Sequence, residues 1–312
     1  MLQRQAYAHT DLALELQEET EKDARSFGEG IHIEKRKRKG GRLKEVIITV
    51  KNAAGERLLG KPKGVYITLE GTDLEKNDGE YHEEMSLLLA EHLEKLLGEK
   101  KRVFFAGLGN GEVTPDALGP RVIENLLITN HLDTLPFFYK MRTSTAVVPG
   151  VMAQTGMETG EILHGIIDRT KPEVMVVIDA LAAKTAGRLT KTVQICDTGI
   201  SPGAGVGNER KEISEKTMGI PVIAIGVPTV ISVPAIASDI MQSFLESLGD
   251  KKMLDSYASW SDKEKYRFMG ESLHEELFGL CVTPKEIDES LRRISYTISE
   301  GINKVIARKQ GE

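Results

Sequence analysis

Three short segments carry no polar side chain at all: Val103-Phe-Phe-Ala-Gly107, Val174-Met-Val-Val-Ile178 and Val222-Ile-Ala-Ile-Gly226. A strand with one wet face alternates apolar and polar residues. A strand apolar throughout is covered on both faces, as in a sheet packed between helices. Thr192–Cys196 and Ala146–Val148 read as further strands. Helical patterns separate or follow these segments, at about 116–127, Glu158–Arg169, Ile231–Leu248, Asp262–Phe278 and Pro284–Ala307. This alternation predicts an α/β protein in three layers with a mixed, largely parallel central sheet. No composition shift or linker divides the chain, so a single domain is expected.

The first hundred residues read differently. Two β-like runs, one beginning at Ile31 and one through Glu45-Val-Ile-Ile-Thr-Val50, flank a Gly40-Gly41 pair, which predicts an N-terminal β-hairpin. Seven basic residues lie between Lys35 and Lys44. They read either as the solvated tip of a hairpin, whose charges discourage edge pairing, or as a patch for nucleic acid or an acidic substrate. The absence of interleaved aromatics favours the former. Gly64–Leu69 is a strand. Met85, Leu88, Leu89, Leu93, Leu96 and Leu97 recur at helical spacing up to Gly98, with His92 on or near the apolar face. Ahead of the hairpin, a short helix over Asp11–Lys22, capped by Thr10 or Asp11, sits in an otherwise loosely docked polar arm.

Charge and cysteine content bound the function. Lys plus Arg is 41 against 47 Asp plus Glu, a formal net charge of −6, which argues against a general nucleic-acid coat protein. Cys196 and Cys281 are too few for a disulfide framework and fit a reducing compartment. Met1–Gly30 has no apolar signal-peptide core, and no run approaches about 18 apolar residues, so a soluble cytoplasmic protein is expected.

Several familiar motifs fail. Gly107-Leu-Gly109-Asn-Gly111 follows a strand, but the dinucleotide pattern needs glycine where Glu112 stands. Gly203-Ala-Gly205-Val-Gly207 fails at Asn208, and neither loop ends as a P-loop. His82-Glu-Glu and His274-Glu-Glu lack the second histidine of a zinc-protease helix, and no Cys/His cluster or G-x-S-x-G elbow occurs. Asp197-Thr-Gly199 matches the pepsin-type triplet. That enzyme class needs two copies in β-rich lobes, so the triplet reads as a turn after the Thr192–Cys196 strand.

Ligands of parallel α/β sheets bind outside the carboxyl ends of strands. Asp116, in Val113-Thr-Pro-Asp-Ala-Leu-Gly-Pro120, follows the Val103–Gly107 strand. Asp179, in Ile178-Asp-Ala-Leu-Ala-Ala183, follows the next one. Either aspartate fits a helix N-cap. Brought together, two carboxylates would share a proton, one acting as base and the other as acid. Such a pair could activate water against a peptide bond or help bind a divalent metal. The glycines at 107–111 and 199–207 would let backbone approach a substrate.

At these residues the chain resembles the germination proteases of endospore-forming bacteria. The resemblance rests on Gly107-Leu-Gly-Asn, the Asp116 and Asp179 motifs, Glu124–Thr129, Val148-Pro-Gly-Val-Met152, Gly205–Ser214 and Gly219–Thr229, in that order. It implies a fold similar to hydrogenase maturation proteases and an atypical aspartic endopeptidase. The implied substrates are the small acid-soluble spore proteins, digested during germination in the spore core. It places the catalytic pair at Asp116 and Asp179, with Gly109, Asn110 and Asp197 as candidates to support them. It implies a homotetramer made as a self-cleaving zymogen. Thr10-Asp11-Leu12-Ala13 matches the self-cleavage region, so residues 1–11 are expected to be a propeptide cut between Asp11 and Leu12, and 12–312 the peptidase domain. No cofactor, metal or membrane partner is expected, and direct nucleic-acid binding is disfavoured. The stretch after Gly249 is shorter than the family pattern, and the basic run lies outside the family core. Three other readings remain open: a metal-assisted peptidase at the same acids, a nucleotide-binding α/β protein using the glycine loops, and a DNA-associated protein using the hairpin.

Overall fold

The computed structural model describes residues 10–22, 30–38, 42–71, 78–132, 134–135, 140–203, 211–260, 262–272 and 274–308. The strands are β1 (Ile31–Arg38), β2 (Leu43–Val50), β3 (Gly64–Gly71), β4 (Arg102–Gly107), β5 (Thr143–Val147), β6 (Val174–Ala183), β7 (Thr192–Cys196), β8 (Val222–Ser232) and β9 (Cys281–Val282). They form one sheet in the order β1-β2-β3-β7-β8-β6-β4-β5, with β9 added against β8. The α/β class and the mixed sheet agree with the sequence reading. The parallel part is narrower than expected: β5, β4, β6 and β8 run parallel, whereas β7 turns back and the remaining pairings are antiparallel.

The helices are α1 (Ala13–Lys22), α2 (Ala53–Leu59), α3 (Gly79–Leu97), α4 (Leu118–Glu124), α5 (Met152–Thr155), α6 (Thr159–Thr170), α7 (Glu215–Met218), α8 (Val233–Leu248), α9 (Lys251–Ala258), α10 (Asp262–Ser272), α11 (Glu275–Phe278) and α12 (Ile287–Ala307). The two-residue period of the strands sorts side chains between two cores. Val103, Phe105, Val174, Val176 and Ile178 pack with α3, α4 and α12. Phe104, Ala106, Met175 and Val177 pack on the other side with α1, α2 and α6. This is why the central strands had to be apolar at every position.

The hairpin forms, with Arg38 opposite Leu43, while its Gly40-Gly41 tip lies outside the described residues. The basic run is solvated as expected, with Lys35, Arg36, Lys37 and Lys44 exposed, and its arginines also form ion pairs. Arg36 and Arg38 reach the buried Glu45 at 3.4 and 2.9 Å, and Arg42 pairs with Asp78 at 3.0 Å. His92 is buried, its Nε2 3.1 Å from the same Glu45. The stretch after Gly249 is the helix α9, most of whose residues are exposed. Asp250 caps it, and Tyr257 is buried against Leu245 and Met269 beside Trp260.

Two expectations near the site change. The helix expected from Asp116 to Leu127 is a 3-10 turn, Thr114–Asp116, followed by α4, and Asp116 caps nothing: the residue before α4 is Ala117. Gly119 lies against β4, where a Cβ would stand 2.4 Å from the Leu108 backbone, so α4 rests directly on the strand. β6 continues through Asp179 to Ala183 instead of ending at Ile178, because β8 stays paired with it as far as Ile231. Asp179 is therefore a strand residue and not a cap.

Candidate active site

At the carboxyl ends of β4, β6 and β8 lies a cleft of about 470 Å³, and Asp11, Asp116 and Asp179 all line it. Its walls come from Leu108 and Gly109 after β4, the 3-10 turn, the last residues of β6, and Thr229 and Val230 of β8. Asp179 is buried, on the sheet face opposite Ile178, and its Oδ1 accepts from the Ala180 N–H at 2.9 Å. Asp116 is half-buried. Its Oδ2 accepts from the Asn110 N–H at 2.7 Å, and its own N–H donates to the Val113 carbonyl. Gly109 has a φ of +103°, and a Cβ there would lie 2.0 Å from the Asp116 carbonyl oxygen. Only glycine lets the two loops close this tightly. Thr229 Oγ1 donates to the Pro115 carbonyl at 2.7 Å and ties the aspartate's turn to β8.

The sequence candidates thus divide. Asp116, Asp179, Gly109, Asn110 and Asp11 gather at one end of the sheet. Asp197 does not. Because β7 runs against β8, Asp197 sits at the opposite end, where its carboxylate accepts from the Val65 N–H at 2.7 Å. The D-T-G triplet is a turn, as its single copy suggested. The Gly205–Lys211 part of the second glycine loop lies largely outside the described residues.

The described start of the chain, from Thr10 into α1, is firmly seated and contains the expected short helix; the rest of the polar arm, 1–9 and 23–29, lies outside the described residues. Leu12 and Ala13 are completely buried. Asp11 pairs with Ala182 at the end of β6: its N–H donates to the Ala182 carbonyl at 3.3 Å, and its carboxylate accepts from the Ala182 N–H at 2.9 Å. The Asp11 carbonyl oxygen accepts from Gln194 Nε2 at 3.0 Å and from Lys61 Nζ at 3.3 Å. Glu15 is buried and accepts from the N–H groups of Lys184 and Thr185, the Thr185 hydroxyl and the Thr10 hydroxyl. Arg188 approaches Glu15 at 3.4 Å and also bonds Glu18 and Glu70. Burial opposes the Arg188 charge, but the bonds to Glu18 and Glu70 hold its pKa above the ordinary guanidinium value.

Nothing local marks Lys61, which stands in an unremarkable turn. Gln194 carried a signal: it is the polar residue in the middle of an otherwise buried strand.

The donor set bears on chemistry. No group of three His, Cys, Asp or Glu side chains converges in metal-binding fashion among the described residues. Burial pushes the thiols of Cys196 and Cys281 up, so neither is a ready thiolate. What the cleft offers is carboxylates, backbone donors and a seated peptide.

An α/β sheet with two carboxylates at its parallel strand ends, facing a stretch of held backbone, defines a protein built to act on peptide. Comparison with known proteins narrows this. A family model described as germination protease matches residues 6–261. The chain is 41% identical to the germination protease of Caldanaerobacter subterraneus over 94% of its own length and 92% of that protein's. It is 41% identical to the germination protease of Clostridium tetani, covering 94% of each. The Bacillus subtilis germination protease is 37% identical over an alignment of 351 residues, longer than this chain, so that relative carries inserted segments. Among solved structures, the NiFe hydrogenase maturation protease HycI of Thermococcus kodakarensis aligns with a TM-score of 0.31 at 22% identity, over 44% of this chain and 80% of that one. The chain belongs to the germination protease family and is a peptidase. Among the described residues no helix is long and apolar enough to cross a membrane.

Proposed function

We propose that this peptidase is an aspartate-dependent endopeptidase that starts the breakdown of small acid-soluble spore proteins during germination. In this reading it is made as a zymogen that cuts its own chain between Asp11 and Leu12, leaving residues 12–312 as the working α/β domain. The observation that carries the reading is the convergence of Asp116, Asp179 and the seated Asp11–Leu12 segment on one cleft.

The chemistry follows from the pair. In this mechanism the two carboxyls of the cleft share one proton, so that one is ionised and the other protonated. The carboxylate takes a proton from water as the water oxygen bonds to the carbonyl carbon. The carbonyl oxygen becomes an oxyanion. The C–N bond then breaks as the protonated carboxyl gives its proton to the departing amine. The products are a new amine and a new carboxylic acid, which ionises by passing its proton to that amine or to water, and the pair ends with its proton exchanged between the partners. A peptide segment seated in the cleft before cleavage would exclude other substrates, which gives the zymogen its logic.

Assembly as a homotetramer is part of the same proposal. Ile240, Phe244 and Leu248 leave an apolar stripe exposed along α8, which supports burial against another copy.

The test is incubation with a purified small acid-soluble spore protein, comparing wild type, Asp116→Asn and Asp179→Asn. Fragments are expected from wild type alone, with and without EDTA. Equal cleavage by either variant would overturn the aspartate mechanism, and EDTA inactivation reversed by a divalent metal would replace it with a metal-assisted one.

A further inference from the structure

Asp179, Gly226 and Gln194 stand in one row across β6, β8 and β7. All three face away from the α3/α12 core, because their neighbours Ile178, Ile225 and Ile195 face into it. At about 4.8 Å per strand, Asp179 and Gln194 are roughly 10 Å apart at their Cα atoms. Gly226 adds no side chain between them. The Leu181 side chain, from the same face of β6, takes that place instead, 2.6 Å from where a Gly226 Cβ would stand.

The chain's own backbone already meets that amide. Gln194 Oε1 accepts from the Ala13 N–H at 2.7 Å, while Nε2 donates to the Asp11 carbonyl at 3.0 Å. One side-chain amide thus brackets Leu12 as a neighbouring strand would. Leu12 is completely buried, so the Asp11–Leu12 peptide unit is fixed in orientation. Lys61 Nζ is the second donor on the same carbonyl oxygen, at 3.3 Å. The ends of the clamp are tied down by the paired contacts between Asp11 and Ala182.

We propose that Lys61 and Gln194 form the oxyanion-stabilising clamp of this peptidase, gripping the carbonyl oxygen of the bond to be cut. The inference rests on the reading of Asp11–Leu12 as that bond and goes beyond it, by assigning the groups that bear the charge the aspartate pair creates. When water adds to the Asp11 carbonyl carbon, the C=O π electrons move to the oxygen. The Lys61 ammonium and the Gln194 N–H lie where that charge appears. A fixed donor in a site sheltered from water is worth most at that moment, and a cationic donor more than a neutral one. When the C–N bond breaks, the charge returns to the carbonyl, and Lys61 is left facing the new Asp11 carboxylate.

The experiment follows the full-length chain by mass spectrometry, timing the appearance of a fragment that begins at Leu12. Lys61→Met is expected to slow its formation by about 100-fold, the usual loss for one such donor. Lys61→Arg restores the cation and is expected to recover most of the rate, which packing alone would not do. Gln194→Glu keeps the acceptor for Ala13 but removes the donor and sets a negative charge beside the oxyanion, so the expected cleavage is still slower. Unfolding midpoints are read on each variant, and the Lys61 pair serves if Gln194→Glu fails to fold. Wild-type rates in Lys61→Met, or in folded Gln194→Glu, overturn the clamp. So does a cut at any other bond, or no cut in wild type. If Asp116→Asn and Asp179→Asn both cut normally while Lys61→Met does not, the aspartate reading falls and the clamp stands.

Discussion

The two halves of the sheet both bury carboxylates, and they treat them in opposite ways. In the antiparallel wing, Glu45 is completely buried and enclosed by Arg36, Arg38 and His92, so its charge is matched by neighbouring side chains. In the parallel half, Asp179 is nearly as buried but opens onto a cleft, and both Asp116 and Asp179 accept from backbone N–H groups. The first arrangement holds a hairpin to a helix. The second leaves carboxylates lining a cleft. Burial of an acid alone does not mark a site. What marks it is the combination of burial with an open face at the strand ends.

Asp197 sharpens the contrast, because its triplet has the stronger motif and its position the weaker claim. Its carboxylate only closes the start of β3. Asp116→Asn and Asp179→Asn should each reduce peptide cleavage by about a thousandfold or more, the range expected for removing a general acid or base. Asp197→Asn should leave the rate near wild type and cost about 1 kcal/mol of stability, since the Asn carbonyl oxygen can still accept from Val65 N–H but without the charge. Cleavage assays and urea midpoints read both. A large rate loss in Asp197→Asn would break the comparison.

Stability should respond in the reverse order. Arg142 is completely buried, bonds Glu94 twice and donates to the carbonyls of Gly98, Lys100 and Val305. Arg142→Met should destabilise the fold by about 3 kcal/mol, since it strands several buried acceptors. Glu45→Gln should cost about 2 kcal/mol. The figure is lower because the arginines facing Glu45 are themselves two-fifths exposed and screened by water. Neither change should slow cleavage once the protein is folded.

The smallest effect is a pH dependence in the wing. Burial is the main cause that holds the His92 pKa below its ordinary 6.5, against the opposing pull of Glu45. Below pH 6.5 the unfolded chain therefore binds a proton that the folded chain does not, and stability falls as pH drops through that window. His92→Gln should flatten this part of the stability curve. An unchanged slope would mean that His92 is not the group responsible.

Much of this was legible in the residues. The all-apolar segments announced a sheet covered on both faces, and Asp116 and Asp179 stood where strand ends were expected. The sheet order was not legible, because Thr192–Cys196 has no local mark to say that it runs backwards between two partners. The end of β6 was misplaced because Ala180–Ala183 favours a helix when read alone, and only pairing with β8 keeps it extended. Lys61 and Gln194 escaped notice for the same reason: their meaning lies in what folds against them, far along the chain.

The central claim is that the paired acids at the parallel strand ends, and not the D-T-G turn, perform the hydrolysis. It is tested most directly by one mass measurement on three full-length variants, Asp116→Asn, Asp179→Asn and Asp197→Asn, under conditions where wild type cuts itself. Asp116→Asn and Asp179→Asn should keep residues 1–11, and Asp197→Asn should yield a chain beginning at Leu12. A chain beginning at Leu12 from either of the first two, at the wild-type rate, would contradict it.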